Sequence, residues 1–155
     1  MKDQTDMPIL LRREIEARIA GPLIQAYIEE IGREKALKVA SAVIKKLARE
    51  SGAELASQCE GISLRDLATG TSKWSEGGAN ESELIAMTET NFDFNIVRCK
   101  YAEMYQALGL SDLGFVLSCD RDAEMFSGFN PEIEFSRTTT IMEGDKHCDF
   151  RLSLG

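Results

Sequence analysis

The apolar period of this chain changes once, near Asn80, and that change limits the folds open to it. Before it, large apolar residues recur at helical spacing; after it, they alternate for long stretches. From Leu10 to Ile31, the residues Leu11, Ile15, Ile19, Leu23 and Tyr27 step by four along one helical stripe. Gly21-Pro22 interrupts that stripe, so a kink or two short helices are expected there. A second helix is expected from Arg33 to about Glu50, with Leu37, Ala40, Val43, Ile44 and Leu47 facing inward and Gly52 as its stop. Both stripes read as packing faces. Ser63, with Asp66 at the third helical position, caps a third helix reaching Trp74. The stretch Ser75–Asn80, which contains Gly77-Gly78, follows as a connector rather than a lid.

Beyond Asn80, Phe92, Phe94 and Ile96 share one face at period two, so residues 83–98 read as a hairpin turning near Asn91. Helical spacing returns over Cys99–Gly109 and continues through Leu110–Asp120. Gly128–Pro131 reads as a loop, and Ile133, Phe135, Arg137, Thr139 and Ile141 as one face of a strand. Gly144-Asp145 makes a turn before a last strand, Cys148–Leu154. The expected fold is a single α+β domain over residues 1–155. Its N-terminal helices pack on an antiparallel sheet of about four strands, with a helical insertion between the hairpin and the C-terminal strands.

Composition narrows the function classes. A net charge of −8 with scattered Lys and Arg disfavours a nucleic-acid or anionic-membrane binder. No stretch approaches the about 18 apolar residues of a membrane span, and the polar Met1–Pro8 does not read as a secretory signal. The four cysteines, at 59, 99, 119 and 148, form no CxxC pair and read as reduced thiols in a cytoplasmic protein. Cys59 is taken as a packed thiol. A small-molecule substrate is the expected partner, and a homo-oligomer through the stripe of the first helix is compatible with the pattern.

The densest chemistry lies in Glu143–Phe150, where the sole histidine, His147, stands beside Cys148 and Asp149. A thiol becomes a useful nucleophile when a neighbouring base or positive charge lowers its pKa. Neighbours on a strand point to opposite faces, however, so His147 activates Cys148 only if the turn after Gly144 distorts the strand. Cys148 is thus either a nucleophile or a buried structural thiol. Cys119, at the end of a helical stretch, can approach Cys148 if that helix lies on the sheet; two thiols with His147 or a carboxylate would suit zinc, although the spacing matches no zinc motif. Arg137, inward on a strand, needs a partner: a structural carboxylate such as Glu103 or Asp149, or the carboxylate of a substrate. Arg98 is a weaker rival for the second role.

The ordered blocks of the chain also carry a resemblance. Asn95–Tyr105 with Leu108-Gly109-Leu110, Leu113-Gly114-Phe115 with Ser118-Cys119, Gly128–Pro131, Arg137–Gly144 and His147–Arg151 all contribute, as does the opening Arg12–Arg18. Together they resemble the L-2-amino-thiazoline-4-carboxylic acid hydrolase family. The resemblance implies a hydrolase of non-peptide carbon–nitrogen bonds that opens a cyclic amidine toward a carbamoyl-cysteine product. It further implies that Cys148 is the nucleophile or a ligand of the group activating water, and that His147 or Asp149 moves protons. Arg137 would hold the substrate carboxylate, with Cys119 and Asn95 lining the pocket. It leaves the cofactor undefined and assigns no metal site. The alternative is a non-catalytic small-molecule or metal-binding sensor using the same pocket.

Overall fold

The computed structural model describes residues 7–155, so most of the N-terminal reading of Met1–Pro8 lies outside the described residues. Two long helices, α1 (Ile9–Ile31) and α2 (Arg33–Gln58), are joined through Gly32 alone. Gly32 has φ +87° and ψ 152°, a conformation that essentially only glycine adopts, and it lets one helix turn directly into the next. A short helix α3 (Leu64–Thr71) and a 3₁₀ stretch (Ser72–Gly78) lead to the hairpin β1 (Asn80–Met87) and β2 (Asn91–Cys99). Helix α4 (Lys100–Ala107), a π-helical turn (Phe115–Cys119) and α5 (Arg121–Phe129) precede β3 (Ile133–Ser136), a 3₁₀ turn (Ile141–Glu143) and β4 (Cys148–Leu154). The strands form one antiparallel sheet in the order β1-β2-β4-β3. This is the expected α+β fold. Among the described residues no helix is long and apolar enough to cross a membrane.

Local chemistry accounts for several elements as read. The Ser63 hydroxyl accepts the Asp66 amide, and the Asp66 carboxylate accepts the Ser63 amide at 2.9 Å, a reciprocal cap that starts α3. Ile96 lies opposite Cys148 and Phe94 opposite Phe150, so the period-two face of β2 meets that of β4. The Phe94 and Phe150 rings stack at 4.7 Å, while Phe126 of α5 sets its edge against Phe135 and Phe150. Ala48 of α2 with Leu64 and Leu67 of α3 completes the core over the inner face of the sheet.

Other expectations are corrected. Helix α1 runs through Gly21-Pro22 without ending, because Pro22 lies on the exposed side, where water can satisfy the freed carbonyl. Helix α2 continues past Gly52 to Gln58. The hairpin turns at residues 88–90, and Asn91 already belongs to β2. Residues 110–120 form turns and a π-helical segment, and Gly128 and Phe129 belong to α5 rather than to a loop. Strand β3 ends at Ser136, so Arg137 and Thr139 lie beyond it.

The largest correction concerns the two long helices. Leu11, Ile15, Ile19, Leu23 and Tyr27 of α1, with Val43 and Leu47 of α2, face solvent. The inner faces carry Ala17, Gly21 and Ile24 on α1 and Ala36, Ala48 and Gly52 on α2, with Leu37, Ala40 and Ile44 partly buried against the core as expected. Small side chains let backbones approach closely. A Cβ on Gly52 would stand 2.1 Å from the Met125 carbonyl oxygen, and one on Gly128 2.1 Å from the Arg49 carbonyl oxygen. Helices α2 and α5 therefore meet backbone to backbone at two points. Gly52→Ala and Gly128→Ala are each expected to destabilise the fold by about 1–3 kcal/mol or more, because the obstacle is backbone and cannot rotate away. Urea denaturation measures this; an unchanged midpoint in either variant would mean the two helices have room to part.

Candidate functional site

The site begins where β3 stops. The Asp149 carboxylate on β4 accepts hydrogen bonds from the Thr138 and Thr139 amides at 2.8 and 2.7 Å and from both threonine hydroxyls. Desolvation opposes its charge, but the four donors outweigh that and hold the carboxyl well below the usual carboxylate range. This clasp fixes the chain just after Arg137. The Arg137 guanidinium pairs with the Asp122 carboxylate of α5 and donates to the Cys119 carbonyl oxygen at 3.2 Å. It sits against the Phe115, Phe135 and Phe150 rings, 5.8, 5.5 and 5.1 Å from their centroids. Burial works against the Arg137 charge, and Asp122 more than restores it. Burial also pushes the Asp122 carboxyl up to about 6, against the pull of Arg137 and the more distant Arg13 and Arg121.

A cavity of about 280 Å³ opens above this pair, lined by Cys99, Cys119, Cys148, Tyr101, Asp122 and Arg137 among others. Three of the four thiols therefore share one chamber. Cys99 caps α4, its sulfur accepting the Ala102 amide at 3.5 Å. Cys119 closes the π-helical turn that brings its carbonyl to Arg137. The Cys148 sulfur accepts the Ile141 amide at 3.2 Å. Burial raises the pKa of all three, Cys148 to about 11 and Cys119 well above its ordinary value. The thiols are thus protonated at neutral pH. On the far wall, Arg13 and Arg121 both bind the Glu16 carboxylate, and burial draws Arg121 down to about 10. The Tyr101 hydroxyl donates to the Trp74 carbonyl at 3.0 Å, and burial pushes its pKa up to about 12.

Of the residues singled out from sequence, the fold brings together Cys148, Cys119 and Arg137. His147 lies just before β4 and lines neither cavity, whereas Cys148, the first residue of β4, lines the thiol chamber. Asp149 is committed to its threonine clasp. The Asn95 side-chain oxygen accepts from Arg151 at 3.0 Å, away from the thiols. Arg98 is half-exposed and bridges Glu81 and Glu103. It borders a different cavity, of about 370 Å³, which lacks the buried ion pair. The Arg137 partner is Asp122, not Glu103 or Asp149. Because His147 lies outside the thiol chamber, the Cys119–Cys148–His147 grouping is not assembled. Among the described residues no group of three or more His, Cys, Asp or Glu is arranged to hold a metal ion.

Asp122 stands in the candidate run Cys119-Asp120-Arg121-Asp122 but was given no site role of its own, although the sequence carried a signal for it. It occupies a core position of α5, in step with Met125, Phe126 and Phe129, and an acid on an apolar stripe needs a partner. The Asp122→Ala substitution leaves Arg137 charged among three rings, and a loss of about 3–5 kcal/mol is expected in denaturant unfolding. Replacing both by apolar residues, Asp122→Leu with Arg137→Met, should restore much of that loss; a single variant as stable as the parent would contradict the buried-pair reading. Alkylation of Cys148 by iodoacetamide in the native protein should keep rising through alkaline pH toward about 11, followed by peptide mass. A profile that levels near neutrality would show an activated thiolate instead.

In fold, the chain is similar to a trafficking protein particle complex subunit 3 from Naegleria fowleri, solved covalently bound to palmitic acid. The TM-score is 0.55 at 10% identity, covering 94% of this chain and 96% of that one. At that identity the likeness is one of fold alone. No curated protein matches the chain in sequence. The profile of the family described as L-2-amino-thiazoline-4-carboxylic acid hydrolase matches residues 12–152, nearly the whole length, and the chain belongs to that family.

Proposed function

We propose that this chain hydrolyses a small cyclic amidine bearing a carboxylate, such as L-2-amino-thiazoline-4-carboxylate, to a carbamoyl-cysteine product. Family membership supports hydrolase-type chemistry in general. The observation that carries the finer reading is the convergence of three thiols and the Asp122–Arg137 pair on one cavity of about 280 Å³. That volume suits a small molecule, and a wall that sets Arg12, Arg13, Lys73, Arg121 and Arg137 against Glu54, Glu76 and Asp122 carries a cationic excess that favours an anionic one.

In this reading, an arginine of the wall, Arg137 first, orients the substrate carboxylate with N–H groups not used on Asp122 or Cys119. The electrophilic ring carbon, bonded to nitrogen, sulfur and the exocyclic amine, lies toward Cys148. Asp122 and Arg137 both act on the charge of the Cys148 sulfur. With a pKa near 11, Cys148 holds no resting thiolate, so its attack is coupled to transfer of its proton to Asp122. As sulfur bonds to the ring carbon, the carbon–nitrogen π bond breaks and its electron pair moves to nitrogen, which takes the proton back from Asp122. The lone pair of the exocyclic nitrogen then re-forms a carbon–nitrogen double bond as the ring carbon–sulfur bond breaks, the departing sulfur taking that nitrogen's proton. Water adds to the carbon, giving one proton to the nitrogen and one to the Cys148 sulfur as the bond to Cys148 breaks, so the net change is addition of one water. Asp122 takes the proton-moving role here because His147 and Asp149 lie outside the thiol chamber.

The second reading is a binding module without turnover. It is favoured by one fact, that all three cavity thiols are held protonated. A mass-spectrometric assay with L-2-amino-thiazoline-4-carboxylate separates the two. Wild-type protein is expected to form the ring-opened product, and Cys148→Ala and Asp122→Asn to slow it by about 10²–10⁴-fold while remaining folded. Product from Cys148→Ala at the parent rate would remove the nucleophile but keep the hydrolase. Saturable binding to folded wild type with no product would favour the module.

A further inference from the structure

The outer faces of α1 and α2 are apolar. Leu11, Ile15, Ile19, Leu23, Tyr27 and Ile31 are all exposed on α1, with Ile19 66% exposed and Tyr27 59%. Val39, Val43 and Leu47 repeat the four-residue step on α2. The inner faces of both helices pack on one shared cluster that includes Ala17, Ile24, Leu37 and Ile44. Their outer faces therefore point away from the same core. Nine half-exposed side chains present roughly 700–900 Å² of apolar surface, above the few hundred Å² usual on a monomer and near the share of one partner in a standard stable interface.

We propose that this face is the interface of a two-fold homodimer, with α1 of each chain crossing α1 of the other. The six α1 residues follow the i±4 row, which turns about 40° round the helix at each step, so a crossing at about −50°, the commonest helix-packing class, engages the middle of the row, Ile15 to Tyr27. The row is also complementary to itself. A two-fold axis passing level with Gly21 exchanges Leu11 with Ile31, Ile15 with Tyr27, and Ile19 with Leu23. At that crossing Ile15 meets Tyr27 and Ile19 meets Leu23, all apolar, so no charge of the row is desolvated. A membrane surface fits less well. Amphipathic helices that lie on anionic lipid carry an excess of Lys and Arg on the polar face, whereas α1 sets Glu14, Glu16, Glu29 and Glu30 against Arg12, Arg13 and Arg18 in a chain of net charge −8.

Sedimentation equilibrium of the full chain is expected to give twice the chain mass, with Ile19→Leu unchanged. The pair Ile19→Lys with Leu23→Lys is expected to give the mass of a single chain with the same far-ultraviolet circular dichroism. Should that variant fail to fold, Ile19→Cys with Leu23→Cys, oxidised and mapped by peptide mass, is expected to yield a dimer cross-linked between positions 19 and 23. Three results would overturn the proposal: a wild type at single-chain mass at every concentration, a folded lysine variant that stays dimeric, or a monomeric wild type that floats with lipid vesicles.

Discussion

The ion pair between Arg137 and Asp122 organises the functional half of the molecule. It joins the residue after β3 to the first turn of α5, and it does so where Phe115, Phe135 and Phe150 exclude water. A guanidinium enclosed by rings has to keep its counter-charge close, which constrains α5 as firmly as the apolar contacts of Phe126 do. Once α5 is set, so is the π-helical turn before it, because the Cys119 carbonyl also takes a hydrogen bond from Arg137. The position of the Cys119 thiol is a by-product of that arrangement.

Around the pair, burial sets the proton affinities. It moves acids up and cations down, and each group departs from that trend according to its partners. Asp149 has four donors and stays ionised; Asp122 has one close guanidinium and is poised near 6. The thiols have only single amide donors or none, too little to offset desolvation. The same low polarity that makes the pair strong keeps the sulfurs neutral.

Much of this was legible before any coordinates. The sheet followed from alternation: β4 spans Cys148–Leu154 as read, and α3 starts at the cap that Ser63 and Asp66 announce. What failed shares a cause. On α1 and α2 the whole stripes were assigned inward; Leu37, Ala40 and Ile44 do pack on the core, but the α1 stripe with Val43 and Leu47 faces solvent, and the closest approaches fall to alanine and glycine, whose small size matters only once another backbone arrives. Asp122 could not be matched to Arg137 because 15 residues and a change of element separate them. Periodicity reports which face of an element is apolar; it does not report which neighbour that face will meet.

The two cavities have only Cys99 and Met142 in common among the residues that line them. The partition between the thiol chamber and the one bordered by Arg98 is therefore a thiol and an unbranched thioether. Methionine turns about three bonds at little cost and fills irregular space. Volume is thus exchangeable across that partition: a rotation of Met142 that enlarges one chamber shrinks the other, so the shape of the thiol chamber is partly set by a residue that brings neither thiol nor charge to it.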